Sequence, residues 1–488
     1  AFAAYAEVQN VKVSGDITVS AVGRNNLILR ANNNAPKLDN DQTAFNEYDR
    51  RISGIISQMR LRVDADLTDN VSTTVRLINE RVWGVETNTS DTLTAGGTRE
   101  SSSNVGIDLA YAKMKEFLYS PLSLTIGRQE LHFGNDLIIG DSDTNNLMAG
   151  HQATDVEATA RANMGRFLPR SLDDLTLRKA FDSVRATLNY DPLVVDAVVA
   201  LINEGRIDSK DDVNLYGLNA NYALDKNTTL EAYYWQKTRE KASPSGTAQN
   251  LTGHSKNDWT GTLGARAQHS GIKNLSLGLE GAYQFGKHIV STTLYPDEAA
   301  NTLLDRRRQA FAIQFTGSYS LAELIKKYDP MLGLSYTYLS GDKYKSRDGS
   351  FTGWDPMFEN QAGGTLFNKI LGYYNNQLYN VSLSAKPMED LKVALSYYYL
   401  RLNKPYYNAN DANLTGVVGD PTYTMKDGKK NLGSEVDAIL TYDYTEDVQL
   451  GLNMGWFFPG AAFNKGSDNA TGNKLTASQV IGSMKVTF

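Results

Sequence analysis

The sequence predicts an all-β fold, a closed antiparallel transmembrane β-barrel of 18 strands with 16 as the fallback count. Three observations carry that prediction. Apolar side chains recur at every second residue through many short segments. Short polar turns and long polar connections broadly alternate along the chain. The last of the alternating segments ends on an aromatic residue, Phe488.

The alternation is clear at Met59, Leu61, Val63, Ala65 and Leu67, with Arg60, Arg62, Asp64 and Asp66 between them. A helix of period 3.6 cannot segregate such a pattern, whereas a strand with one apolar and one wet face does. It returns at Leu275–Phe285, Phe311–Tyr319, Tyr379–Ala385, Leu391–Tyr399, Val436–Tyr444 and Val448–Trp456. The expected strands are 12–30, 49–67, 71–86, 105–118, 122–133, 181–190, 193–203, 212–224 and 228–240. They continue at 259–269, 275–290, 308–320, 331–340, 376–386, 391–402, 434–444, 448–458 and 475–488.

Between them, Thr68–Asn70, Tyr119–Pro121, Asp191-Pro192, Asp225–Asn227, Pro387–Asp390 and Thr445–Asp447 are short turns. Ala31–Tyr48, Glu86–Asn104, Phe133–Ala180, Lys241–Asp258, Gly341–Asn376, Asn403–Gly433 and Gly460–Lys474 are long and polar. Tight periplasmic turns and long extracellular loops give an outer-membrane barrel this asymmetry. An even strand number then puts both termini in the periplasm. The chain reads as one barrel domain over residues 1–488, with 133–180 as the candidate constriction loop.

Composition agrees. The 488 residues contain no cysteine, so a disulfide scaffold, a thiolate metal site and a cysteine nucleophile are excluded. A formal charge of −6 lacks the basic stripe of a nucleic-acid binder. The longest apolar stretch, near Pro192–Ile202, is interrupted by Asp196 and is too short for a helical span. Barrel strands are not excluded, because alternation averages out as polar. The Ala1–Tyr5 start has the small-residue spacing of a signal-cleavage region, so the chain reads as mature.

In the final strand, Phe488, Val486, Met484, Gly482 and Val480 share one face, and Thr487, Lys485, Ser483 and Gln479 the other, with Ile481 the one exception. Phe488, Val486 and Met484 are therefore the expected signal for the barrel-assembly machinery. Tyr336/Tyr338, Tyr397/Tyr399, Tyr442/Tyr444, Tyr233/Tyr234/Trp235 and Trp456 lie towards strand ends, where rings favour the headgroup level.

The stretch Ser123–Asp136, with Ile126-Gly127-Arg128-Gln129-Glu130-Leu131, resembles the Gly-Arg-Gln strand of the alginate-export family of outer-membrane porins. That resemblance implies a monomeric 18-stranded barrel, an inward arginine at Arg128 and a strongly electropositive constriction for a polyuronate. The expected inward charges here are mixed. Arg60, Arg62, Arg76, Arg185, Arg266, Arg308 and Arg128 face Asp64, Asp66, Asp108, Glu280, Glu435, Asp437 and Asp443. Opposed charges produce a transverse field like that of a general-diffusion porin, or else the same residues form interstrand ion pairs that stabilise a wet wall. Arg128 is placed inward on the premise that Gly127 starts a bulge. Otherwise alternation from Leu122, Leu124 and Ile126 aims it at lipid, at roughly 2–4 kcal/mol near the midplane.

Catalysis finds little support. His132, His151, His254, His269 and His288 are scattered, and no His-Glu-x-x-His or Gly-x-Ser-x-Gly occurs. Asp141, Asp143 and Asn145 have the spacing of a calcium loop, but Asn146 and Gln152 replace its Gly and Glu. No cofactor is expected. The expected function is passive passage of small hydrophilic solutes or an anionic polysaccharide through the outer membrane. The alternative is a barrel scaffold or receptor that binds a partner without free conduction. Expected partners are outer-membrane lipid, lipopolysaccharide, the assembly machinery and the transported solute, with no nucleic acid.

Overall fold

The structure is a computed structural model that describes residues 10–27, 29, 51–83, 105–142, 172–203, 212–242, 256–291, 303–342, 349–361, 363–405, 428–463 and 474–488. Its first strands are β1 (Asn10–Asn25), β2 (Arg51–Thr68), β3 (Val71–Val82), β4 (Gly106–Met114) and β5 (Leu122–Gln129). Next come β6 (Phe181–Asn189), β7 (Leu193–Asn203), β8 (Val213–Asp225), β9 (Thr228–Ala242) and β10 (Lys256–Ile272). The wall continues with β11 (Leu275–Ser291), β12 (Leu303–Ser320) and β13 (Met331–Leu339). After the two-residue β14 (Ser350–Phe351), β15 (Asn376–Met388), β16 (Leu391–Leu402), β17 (Asn431–Asp443), β18 (Val448–Pro459) and β19 (Ala477–Thr487) complete it.

Each wall strand pairs antiparallel with its neighbours, and β1 pairs with both β2 and β19. The sheet therefore closes on itself. Without β14, which lies parallel to β12 at Arg307 and Arg308, the wall has 18 strands. Closure is what lipid demands, because hydrocarbon offers no partner to an open strand edge. Among the described residues no helix is long and apolar enough to cross a membrane.

The outward rows are apolar and exposed, as with Met59, Ile126, Val184, Val199, Leu263, Ile313, Leu383 and Leu395. Outside, aromatic rings meet across strands. Tyr336 and Tyr379 lie 4.8 Å apart, Tyr379 and Tyr399 6.0 Å, and Phe311 and Tyr338 5.1 Å. One expected girdle triplet divides. Tyr233 and Trp235 are buried and face inward, where Trp235 meets Phe133 at 4.8 Å, while Tyr234 stacks with Phe285 at 6.2 Å on the opposite row. Three consecutive strand residues cannot share a face.

The buried core is largely inside the barrel. Leu131, Phe133, Leu137 and Ile139 after β5 cluster with Trp354, Met357, Phe358, Leu366 and Phe367 from the β13–β15 connection.

Candidate functional site: a charged wall with inward segments

The inward rows carry the charges. Arg60 bonds Asp16 across β1 and β2 at 2.8 Å, and Arg62 bonds Asp64 at 2.7 Å. Arg76 meets Asp108 at 2.5 Å and also pairs with Glu130. A register shift in β4 turns both Asp108 and Leu109 inward beneath Arg76, with Ile107 exposed on the other face. Arg185 pairs with the buried Asp196 at 2.8 Å and lies 5.1 Å over the Phe133 ring. Arg266 stands between Glu231 at 3.7 Å and Glu280 at 4.0 Å. Arg308 approaches Asp258 at 3.6 Å and Asp355 at 3.9 Å. Six of the seven arginines singled out from sequence are thus on inward rows opposite carboxylates.

Arg128 is the exception, and its inward placement is corrected. Gly127 has φ +124°, a backbone conformation reserved for glycine, yet no extra residue is inserted. Pairing with β6 runs unbroken from Leu122–Leu188 to Gln129–Phe181. Alternation therefore carries Arg128 on the outward row of Leu124 and Ile126, opposite Ala110 and Asp182. It meets the exposed Asp182 at 3.3 Å. The position is next to the last residue of β5, so the midplane penalty does not apply. Gln129 is the buried, inward residue of the motif.

Three chain segments run against this wall. The first, Leu131–Asp141, follows β5. Asn135 bonds Gln314, and Gly140 and Asp141 donate backbone N–H groups to Phe358 O at 2.8 and 3.0 Å. The second, Leu172–Ala180, precedes β6. The Arg24 guanidinium grips Asp174 with two bonds of 2.8 and 2.6 Å and bonds Gln479 at 2.7 Å. Glu80 accepts from Thr176 Oγ1 at 2.7 Å and Leu177 N at 2.8 Å. Burial works to raise the Asp174 carboxyl, but the Arg24 charge and bonds outweigh it and hold it low.

The third segment, 349–375 with 362 outside the described residues, went unrecognised in the sequence as an inward element. Asp355 is its anchor. It bonds Lys237 at 2.9 Å and Thr260 at 3.0 Å, and its backbone exchanges two bonds with Gln284. Further on, Thr365 bonds Asp437 at 2.9 Å, and Leu366 N donates to Glu435 at 2.7 Å. Glu435 and Asp437 are thus inward but covered. The available signal was compositional, since Trp354, Met357, Phe358, Leu366 and Phe367 place apolar bulk inside a long connection.

The segments also hold one another. Ile139 and Phe358 form a parallel bridge, and Lys179 reaches Asn360 and, at 3.4 Å, Asp141. Burial pushes the Glu359 carboxyl up to about 8; Gln361 N and Lys179 oppose the rise, while Asp141 and Asp136 add to it.

Of the calcium candidates, Asp143 and Asn145 lie outside the described residues, as do His151 and His254. Asp141 is buried against Lys179, and among the described residues no group of three His, Cys, Asp or Glu could hold a metal. Residues 143–171 of the expected constriction loop also lie outside them.

At the seam, Gly15 and Phe488 exchange backbone hydrogen bonds of 2.8 and 3.0 Å. Phe488, Met484 and Val480 are exposed on the outward row, with Val486 between them half-buried.

Solved structures share this architecture. OccK3 (OpdO) of Pseudomonas aeruginosa superposes with a TM-score of 0.52 at 11% identity, over 99% of this chain and 96% of that one. OccAB4 of Acinetobacter baumannii gives 0.51 at 11% identity, over 99% and 100% of the two chains. OccK1 (OpdK) of Pseudomonas aeruginosa gives 0.51 at 12% identity, over 98% and 99%. At such identities the likeness is one of fold. No curated protein matches the chain in sequence. The sequence model of the family described as Alginate export matches residues 37–477, most of the chain. With its closed 18-stranded wall, this chain belongs to the alginate export family of porin-like outer-membrane β-barrels.

Proposed function

We propose that the protein is a passive outer-membrane conduit for small hydrophilic solutes, narrowed by its three inward segments. The observation that carries this reading is the wall itself. Inward rows of charged side chains need water or a polar passenger, and pairing within a strand or between neighbouring strands cancels much of their field close to the wall. Arg60, Arg62, Arg76, Arg185, Arg266 and Arg308 each have a carboxylate partner. A polyuronate would have to compete with those partners for every arginine.

The family favours a second reading, an anionic polysaccharide as passenger. One structural observation supports it. Lys12, Lys113, Lys392 and Lys485 occupy inward rows towards the rim of short turns. Asp66 and Asp443 share that rim, and the four lysines outnumber them as contacts for a polyanion entering from that side. In either reading the short turns and both termini are periplasmic, Phe488, Val486 and Met484 form the assembly signal, and the barrel has no catalytic role.

Reversal potential in a salt gradient, with oligouronate added to one side and then the other, separates the readings. Weak selectivity without block supports solute diffusion. Block from the short-turn side at low oligouronate concentration supports the polymer. A folded barrel that conducts nothing refutes both and favours a scaffold or receptor.

A further inference from the structure

We propose that the segment Leu321–Pro330, which joins β12 to β13, is an interfacial membrane anchor that holds anionic phospholipid headgroups. It is ten residues long, whereas several neighbouring turns at this rim are two-residue connections such as Asp69-Asn70 and Lys273-Asn274. Its backbone is coiled. Ala322 N donates to the Ser320 hydroxyl at 3.3 Å, Leu321 O accepts from Leu324 and Ile325 at 2.9 and 3.0 Å, and Tyr328 N donates to Ile325 O at 3.3 Å. These bonds make two successive turns, along which Leu321, Leu324, Ile325 and Tyr328 set an apolar stripe of large side chains.

In a soluble element such a stripe is covered. Here Leu324 is 78% exposed, Ile325 49% and Tyr328 39%. Leu324 is more exposed than the lipid-facing Leu334 at 47% or Leu383 at 46%.

Continuity and charge identify what covers it. Tyr319 and Leu332 are paired on the outward row at the ends of β12 and β13, so the lipid-facing surface leads directly into Leu321. Tyr328 O accepts from Lys386 N on β15, which holds the segment against the adjacent hairpin. Lys326 and Lys327 supply the polar side, with the Lys327 ammonium 5.2 Å from the Tyr328 ring centre. Of the segment's two acids, Glu323 pairs with the exposed Lys273 at 2.5 Å and Asp329 stands at its far end, so that with Lys273 the basic side chains outnumber the acidic ones by three to two. Apolar residues beside lysines suit the boundary between acyl chains and anionic headgroups.

The proposal rests on the periplasmic placement of this rim only for which leaflet is involved, so vesicles test it whatever the channel reading. The chain has no cysteine, so Leu324→Cys can carry an environment-sensitive fluorophore at one site, with Glu446→Cys in the β17–β18 turn as comparison. Both folded barrels are reconstituted in phosphatidylcholine alone and in its mixture with phosphatidylglycerol. The fluorophore at 324 is expected to be quenched several-fold more than that at 446 by nitroxide-bearing phospholipid. Phosphatidylglycerol should deepen the difference, and Lys326→Gln with Lys327→Gln should abolish that deepening. Iodide access at 324 equal to that at 446, in both lipids, overturns the anchor and leaves the stripe to a protein partner. Equal lipid quenching in the two mixtures overturns the headgroup selectivity. Loss of conductance with quenching intact would refute the channel alone.

Discussion

The ring of Phe488 lies over Gly15, so that a side-chain carbon built on Gly15 would stand 2.6 Å from the ring Cζ and 2.6 Å from Arg60 O. The last residue of the chain thereby covers the first strand at the seam where the barrel closes. Only a residue without a side chain leaves that space.

Two variants test the seam. Gly15→Val and Phe488→Ala should both reduce the yield of heat-modifiable folded barrel several-fold, while Thr487→Ala should not. Thr487 anchors chiefly through its backbone, its N–H donating to Asp447 O at 2.9 Å and its exposed hydroxyl reaching the same oxygen only at 3.4 Å. Equal yields for all three would break the link between the terminal ring and closure.

Arg24 and Asp174 hold the segment before β6 to β1. Asp174 is a quarter exposed and keeps Lys369 at 4.0 Å, so removing Arg24 weakens the hold on the segment without leaving a buried charge unpaired. Arg24→Ala should release Leu172–Ala180 and raise single-channel conductance. The double variant with Asp174→Asn should add little to that rise. Additive effects would mean that the two residues act separately.

Glu359 gives a pH dependence of definite sign. A carboxyl with a raised native value binds its proton more tightly folded than unfolded, so ionisation opposes the packed state. The contribution to stability is complete below the ordinary glutamate range and is lost as pH rises through about 8. Protease nicking of the segment around Glu359 should therefore rise from the ordinary glutamate range up to about pH 8 and level off above it. Glu359→Gln should remove the dependence, and an unchanged profile in that variant would assign it elsewhere.

The correction at Arg128 is directly testable. Placed outside the lumen against Asp182, it has little influence on permeating ions. Arg128→Ala should leave the reversal potential nearly unchanged, while Arg185→Ala, which uncovers the inward Asp196, should shift selectivity towards cations. A shift from Arg128→Ala as large as that from Arg185→Ala would restore the inward reading.

The wall was legible because lipid outside and water inside impose a period of two on every strand. Where that contrast fades, the boundaries blur. β12 begins at Leu303 rather than 308, in a stretch where Asp305–Arg308 gives no apolar alternation. β4 stops at Met114 rather than 118, since Glu116 and Leu118 take positive φ. Arg128 was misread because a glycine in a strand signals an irregularity without giving its direction, and the register shift lies next door at Asp108. The inward segment around Trp354 and Asp355 was missed for a different reason. Its contacts reach Lys237, Thr260 and Gln284, more than seventy residues earlier, and no local period reports them.

A water-filled conduit narrowed by segments anchored to its wall shows itself in a planar bilayer. Single-channel conductance of the purified, folded chain would be recorded beside that of a variant freed at Asp355 by Asp355→Ala. Discrete ohmic steps are expected for the native chain, and larger or noisier steps once Lys237, Thr260 and Arg308 lose their anchor. A folded native barrel with no steps, or identical steps in both chains, would contradict such a conduit.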